Sequence, residues 1–234
     1  MKTEVEIIKV TENKVATEKD FVAREMTIPL FINDTPIYQF DCSPSHLKEL
    51  VTGFLYTEGW VKEIDEIVKM ETKPEKILVY LKESKKYELQ KINITKESTS
   101  YNPESLWELM AIFQNKSILF QETGGFHAAA LATAKEIVYF FEDIGRHNAI
   151  DKVLGCALLG RVKLNDKILL TTCRLSHKIV CKAIRVGIPI VASRAAVTDK
   201  AIKLAREFNL TLVGFAREKR MNIYNNCLLQ FPGG

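Results

Sequence analysis

The sequence predicts an α/β protein of 234 residues in two parts, a small mostly β unit over residues 1–95 and a sandwich of helices around a largely parallel sheet over residues 96–234. Three observations carry this. From Pro103 onward, helix-period apolar stripes alternate with short apolar runs of strand length, the pattern of strand–helix units. Before residue 95 the runs are short, β-rich and interrupted by a single helical stripe. Between the two lies Thr95 to Asn102, TKESTSYN, whose polarity predicts a linker or mobile loop.

Residues 1–20 are polar and charged, with one alternating piece, Val5 to Val10, that fits a short edge strand. Arg24 to Phe40 reads as a hairpin, because two β-rich runs flank Asn33-Asp34, a dipeptide that tolerates turn conformations. A helix follows, with Ser43 as cap and Pro44 at its first position. Leu47, Leu50, Val51, Phe54 and Leu55 share one face, and Gly59 ends it. Ile67 to Met70, Lys76 to Leu81 and Tyr87 to Ile94 are strand candidates. In the second part, Asn102-Pro103 opens a helix striped by Leu106, Leu109, Met110 and Phe113. Ile118 to Phe120 and Glu136 to Phe141 read as strands, Arg146 to Leu159 as a helix closed by Gly160, and Lys167 to Thr172 as a buried strand. Ser176 to Val186 is a helix stopped by Gly187, Ile188 to Ala192 a strand, Thr198 to Phe208 a helix and Thr211 to Phe215 the last strand, before a frayed tail, FPGG.

Bulk properties narrow the function. No run approaches the roughly eighteen apolar residues of a membrane span, and the polar start MKTEVEIIKVTENK has no signal-peptide core, so cytoplasm is expected. Five scattered cysteines, Cys42, Cys156, Cys173, Cys181 and Cys227, argue for reduced thiols rather than a disulfide framework. The net charge of +4 hides an asymmetry: from Arg146 onward 16 Lys and Arg face 5 Asp and Glu, while the residues before it hold 17 against 24. A basic half favours an anionic partner, although a solvated basic helix face explains the count equally well.

The chemistry concentrates in Thr123 to Lys152. Gly124 and Gly125 let backbone approach a ligand closely ahead of His127, and Asp143, Gly145, Arg146, His147 and Asn148 fall at the start of a helix, where free N–H groups favour anions. A second strand-to-helix corner, Thr171 to His177, adds Cys173, Arg174 and Ser176 as another wall of the same pocket. Each has a plain structural explanation as well: buried histidines bond to backbone, Asp143 can cap the helix, and a lone buried cysteine is inert. Near the end, Phe215, Ala216, Arg217, Glu218, Lys219 and Arg220 combine an aromatic ring with three cations, which suits a phosphate-bearing small ligand better than nucleic acid. The order strand, His at a helix start, strand, Cys at a helix start is also that of the zinc cytidine deaminases. Those enzymes need H-x-E and P-C-x-x-C, whereas here the motifs read His147-Asn148-Ala149 and Thr172-Cys173-Arg174-Leu175-Ser176, so no metal site is expected.

TGGFHAAAL, EDIGRHNAIDK, TTCRLSHKIVCKAIRVGIPI and TLVGFAREKRMNIY, in this order, together with LKELVTGFLYTEGWV, resemble the FdhD family, the formate dehydrogenase accessory sulfurtransferases, over roughly residues 20–225. The resemblance implies a cytidine-deaminase-like three-layer α/β/α fold for the larger part. It implies binding of a molybdenum or tungsten pterin guanine dinucleotide, such as molybdenum-bis(molybdopterin guanine dinucleotide) with its GDP-like nucleotide moiety. It also implies sulfuration of that cofactor with persulfide from a cysteine desulfurase, insertion into formate dehydrogenase, and a homodimer. Phe215 to Arg220 match the family's nucleotide-end contacts, and Asp143, Gly145, Arg146 and His147 its central motif. One departure stands out. The family's C-G-x-C-G sulfur loop corresponds to the region of Thr95 to Asn102, and no cysteine lies between Cys42 and Cys156. That leaves Cys173, at a turn where relatives carry glycine, as the catalytic thiol, or else a protein that only binds and hands over the cofactor. The competing expectations are a zinc-dependent deaminase-like hydrolase and a non-catalytic nucleotide-binding protein.

Overall fold

The computed structural model describes residues 1–83, 85–92 and 101–231. Two strands, β1 (Lys2–Thr11) and β2 (Lys14–Ala23), form an antiparallel ribbon joined by a two-residue turn. Only its first strand is legible in the sequence, and there as a shorter piece. The second, KVATEKDFVA, has few β-branched or aromatic residues, and cross-strand ion pairs such as Lys19–Glu4 (2.6 Å) and Lys9–Glu18 (3.2 Å) support it.

The next unit is a four-stranded sheet in the order β4-β3-β6-β5, made by β3 (Met26–Ile32), β4 (Thr35–Cys42), β5 (Ile67–Thr72) and β6 (Ile77–Leu81). Asn33 and Asp34 both have positive φ, 47° and 63°, the two-residue hairpin turn whose twist matches the strands. Ile28, Leu30, Phe40, Ile77 and Val79 bury one face of this sheet against Leu50, Val51 and Leu55 of α1 (Leu47–Thr57). The helix begins later than Pro44. His46, at φ 54°, is its cap residue, while Ser43 is drawn away into a buried bond with Asp143. Residues 87–92 of the expected strand Tyr87 to Ile94 are not a strand: Tyr87 donates to the Gly59 carbonyl and Ile92 to that of Phe208, tying an irregular segment down. Positions 93 and 94, positions 95–100 of the expected linker and the end of the FPGG tail lie outside the described residues.

In the larger unit, α2 (Pro103–Asn115) starts as its sequence predicts, with the Asn102 side chain accepting from Glu104 N. Ile118 to Phe120, expected as strand, belongs instead to a short helix, α3 (Ile118–Thr123). The Glu142 carboxylate accepts from Leu119 N and Phe120 N at 3.2 and 3.0 Å, so an anion satisfies the first turn. Gly124 then closes the helix at φ 67°.

Six strands follow, β7 (His127–Ala132), β8 (Ile137–Asp143), β9 (Ile168–Thr171), β10 (Ile190–Ser193), β11 (Thr211–Arg217) and β12 (Arg220–Asn225), in the order β12-β11-β10-β9-β7-β8. The sheet is mixed rather than largely parallel. Only β9, β10 and β11 run parallel, β7 is antiparallel to both β8 and β9, and β12 is antiparallel to β11. Nor is β11 the last strand. Glu218 and Lys219 take φ 52° and 57° and turn the chain back into β12, a turn that this dipeptide does not advertise.

Alternate residues of these strands face two apolar layers. Leu131, Leu169, Val191 and Leu212 pack on α4 (Arg146–Leu159), α5 (His177–Arg185) and α6 (Asp199–Glu207). Ala130, Leu170, Ile190 and Val213 pack on Leu106, Leu109, Met110 and Phe113 of α2. The two units meet where α1 crosses α4. A Cβ added to Gly53 would fall inside the Asp151 carbonyl, and one added to Gly155 inside that of Glu49, so both positions demand glycine. Among the described residues no helix is long and apolar enough to cross a membrane.

Candidate functional site

Because β7 runs against its neighbours, its first residue, His127, shares one sheet edge with the last residues of β8, β9, β10 and β11. The chain leaves an arginine beside four of these strand ends: Arg146 after β8, Arg174 after β9, Arg194 after β10 and Arg217 at the end of β11. Neighbouring strands lie about 4.8 Å apart, so the edge carries a row of guanidinium-bearing positions. Arg146 and Arg174 are exposed, Arg194 and Arg217 half-buried, and none of the four is in an ion pair among the described residues.

The expected site residues divide among several places along this edge. His127 and the second corner do meet: His127 Nδ1 is 3.5 Å from Thr172 Oγ1, one residue before Cys173. Burial, with Arg146 next, lowers the His127 pKa. His147 is pushed down to about 4 by burial and then by Lys182, Arg146 and Lys178, so its ring is neutral at neutral pH and supplies no charge to the corner. Gly125 and Gly145 border one shallow space of about 390 Å³ with Ala23, Ile144, Glu25 and Asp41. Its charged groups are carboxylates, so the paired glycine turns do not make a phosphate cradle. Gly145 leaves room for the Asn148 side chain, and Gly124 serves to end α3.

Asp143 is a positioning residue. It is fully buried, and its carboxylate accepts from Ser43 N (3.2 Å), Ser43 Oγ (2.7 Å), Gly145 N (2.8 Å) and Asn148 Nδ2 (3.0 Å), with Lys152 Nζ at 2.5 Å. These partners take up its lone pairs within the chain, so this group holds the loop before α4. A second buried pair lies one turn on. Lys182 Nζ donates to both Asp151 oxygens at 2.9 Å and to Thr57 Oγ1 at 2.8 Å.

Cys173 is 2 % exposed, and burial raises its thiol above the usual range against smaller opposing effects from Thr171 and Arg146. In this conformation it is neither ionised nor reachable, unlike the electropositive, solvent-facing thiol expected of a sulfur carrier. Ser176 caps α5 by position without a side-chain cap bond, and Arg174 beside it is exposed.

Ala216, Arg217, Glu218 and Lys219 line a cavity of about 600 Å³ against Glu104, Trp107, Glu108 and Ala111 of α2. Phe215, at φ 52°, donates its N–H to the Ala195 carbonyl and does not line this cavity, and Arg220 faces solvent on β12. Arg217 Nε and Trp107 Nε1, on two of the lining residues, are closed off from solvent and meet no acceptor among the described residues.

The model of the FdhD/NarQ family matches residues 23–100 and 82–227. The chain belongs to the FdhD/NarQ family. It is 32 % identical to the sulfur carrier protein FdhD of Halalkalibacterium halodurans, over 93 % of this chain and 91 % of that protein. The Wolinella succinogenes protein of the same name is 35 % identical over 91 % and 83 %. Among solved structures, a candidate formate dehydrogenase accessory protein from Desulfotalea psychrophila superposes with a TM-score of 0.84 at 28 % identity, covering 96 % of this chain and 97 % of that one.

In this FdhD/NarQ chain, the fold adds Trp107 and Arg194 to the residues that the sequence singles out. Trp107 sits one position from the apolar stripe of α2 and passes for core, and only the fold brings it opposite Arg217. Arg194 follows β10 with no glycine or histidine beside it, but its counterparts after β8 and β9 give the signal that could have found it. Among the described residues, no three His, Cys, Asp or Glu side chains converge as metal ligands.

Proposed function

We propose that this chain is a formate dehydrogenase maturation factor. It binds the guanine nucleotide end of a molybdenum or tungsten pterin guanine dinucleotide between α2 and the β11–β12 turn, then assists sulfuration and insertion of that cofactor. The observation that carries this reading is the composition of the cavity of about 600 Å³, where the Trp107 ring and the cations of Arg217 and Lys219 stand beside the carboxylates of Glu104 and Glu108. Guanine offers acceptors at O6 and N7 and a donor at its amino group. Carboxylates of α2 would take the amino edge, Trp107 the ring face, and Arg217 and Lys219 the phosphates, with the arginine row running on toward the remainder of the cofactor. Relatives named sulfur carrier protein FdhD and the accessory-protein structure support the maturation role. Helix layers on both sheet faces support a cytidine-deaminase-like α/β/α arrangement for the larger unit. On this reading the protein works in the cytoplasm as a homodimer, between a cysteine desulfurase and formate dehydrogenase.

Titration calorimetry with GDP tests the cavity. Arg217→Ala is expected to weaken GDP roughly tenfold to a hundredfold, the worth of a charged hydrogen bond, and Trp107→Ala to a similar degree through lost stacking. Inosine diphosphate, which lacks the amino group, should bind less tightly than GDP. Unchanged affinity in both variants would remove the assignment.

Sulfur transfer is the second half of the proposal. A persulfide forms on a thiolate, and burial raises all five thiols, Cys42 to about 12. The chain is accordingly read as binding and handing over the cofactor, with sulfur carried only if Cys173 is uncovered. Incubation with a desulfurase and labelled cysteine should leave the chain unlabelled. Label on Cys173 that disappears in Cys173→Ser would restore the carrier role.

A further inference from the structure

On the opposite face of the sheet from α2, the small unit and the helices α1, α4 and α5 enclose a second cavity of about 270 Å³, sharing no lining residue with the first. One wall is aromatic. Tyr38, 50 % exposed, lies 4.8 Å from the buried Phe54 ring and 4.9 Å from Phe40, and Trp60 stands at the end of α1. An aromatic ring left half in water at a cavity mouth offers a stacking face that the fold does not use.

The other wall is cationic. Lys182 is neutralised by Asp151 at 2.9 Å and by Glu58 at 3.3 Å. Lys86 and Lys178 point into the same space with no ion pair among the described residues, and Lys86 Nζ rests 4.8 Å from the Trp60 ring. Trp60 Nε1 is a buried donor without an acceptor, and His147 presents an imidazole at the cavity wall. Unmatched cations and an open aromatic face are complementary to a ring that carries an anion. The volume, just below the usual range for drug-sized ligands, admits one ring and one anionic group and excludes a dinucleotide.

We infer that this seam cavity binds a small aromatic or heteroaromatic molecule bearing a carboxylate or a phosphate, its ring among Tyr38, Phe54 and Trp60 and its anion on Lys178 and Lys86. The site is separate from the proposed nucleotide cavity. Charged or titratable groups facing His147 are Glu58 just after α1, Lys86 from the segment after β6, Arg146 and Asp151 from α4, and Lys178 and Lys182 from α5. Anion binding adds a negative charge to this set and raises the His147 pKa.

The chain has two tryptophans, one at each cavity. In Trp107→Phe, emission reports Trp60 alone. Phenyl phosphate and 4-hydroxybenzoate are the probes, one for each anion chemistry, and at least one of them should give a saturable change, while benzyl alcohol and inorganic phosphate give none. Lys178→Gln, at an exposed position that leaves folding intact, should weaken the bound probe roughly tenfold or more, and Tyr38→Ala should do the same through the ring. In parallel, nitrogen NMR should follow the His147 pKa upward from about 4 in the complex. No saturation by either aryl anion up to ~10 mM, or equal binding of inorganic phosphate, would overturn the inference. GDP binding is read from Trp107 in Trp60→Phe, so failure of one site is distinguishable from failure of the other.

Discussion

His147 shows how much the surroundings of one side chain decide. In the first turn of α4 burial and three nearby cations hold its pKa near 4 against an ordinary value of 6.5. A base whose folded pKa lies below its unfolded value costs nothing above pH 6.5. Below that the unfolded chain takes up the proton first, so stability falls as the pH drops from 6.5 toward 4. Urea midpoints measured across this window should fall less steeply in His147→Gln than in the natural chain, because the variant removes one such proton. Asp143 and Cys173 teach the same lesson. Each occupies the expected corner, but sequence gives no sign that Ser43, a hundred residues earlier, and Lys152 have already claimed the carboxylate, or that the thiol is sealed.

At the scale of elements, legibility follows the physical signal. The hairpin at Asn33-Asp34, the Asn102 cap of α2, and the helices stopped by Gly160 and Gly187 were readable because cap and turn chemistry is local. The short helix α3 was not, since its first turn is satisfied by Glu142, a residue that arrives from the far side of a hairpin. The β12 hairpin turned on Glu218-Lys219, two residues that carry no preference for positive φ. Gly53 and Gly155 are the strongest element-level requirement. Gly53→Ala or Gly155→Ala would drive a methyl group into a backbone carbonyl of the facing helix, which has no rotamer to change. Either substitution should cost about 3 kcal/mol or more, read from the urea midpoint, whereas Gly124→Ala, with open space around its Cβ, should cost only the strain of its positive φ.

For the whole molecule, the excess of cations after Arg146 acquires a location. Strand order gathers four arginines from four separate sequence positions onto one sheet edge, an arrangement that a charge count along the chain cannot reveal. The alternation of strands and helices is legible from periodicity, but the direction of β7 is not, and that direction is what brings His127 to the same edge. A site built from a row of exposed and half-buried cations should bind GDP progressively more weakly as salt rises from 50 mM to 500 mM, since screening shortens from about 14 Å to about 4 Å. Arg194→Gln should flatten that dependence with little change in the unfolding midpoint. A salt-independent affinity would assign binding to Trp107 and the carboxylates of α2 alone.

The glycine crossing of α1 and α4 also has a mechanical meaning. Side chains between helices act as bearings that can roll to a new rotamer, but here main chain rests directly on main chain, which makes the contact a rivet. The four-stranded sheet packs on α1, and α4 begins at Arg146, so this crossing joins the small sheet to the helix that starts at the arginine edge with no side chain between them.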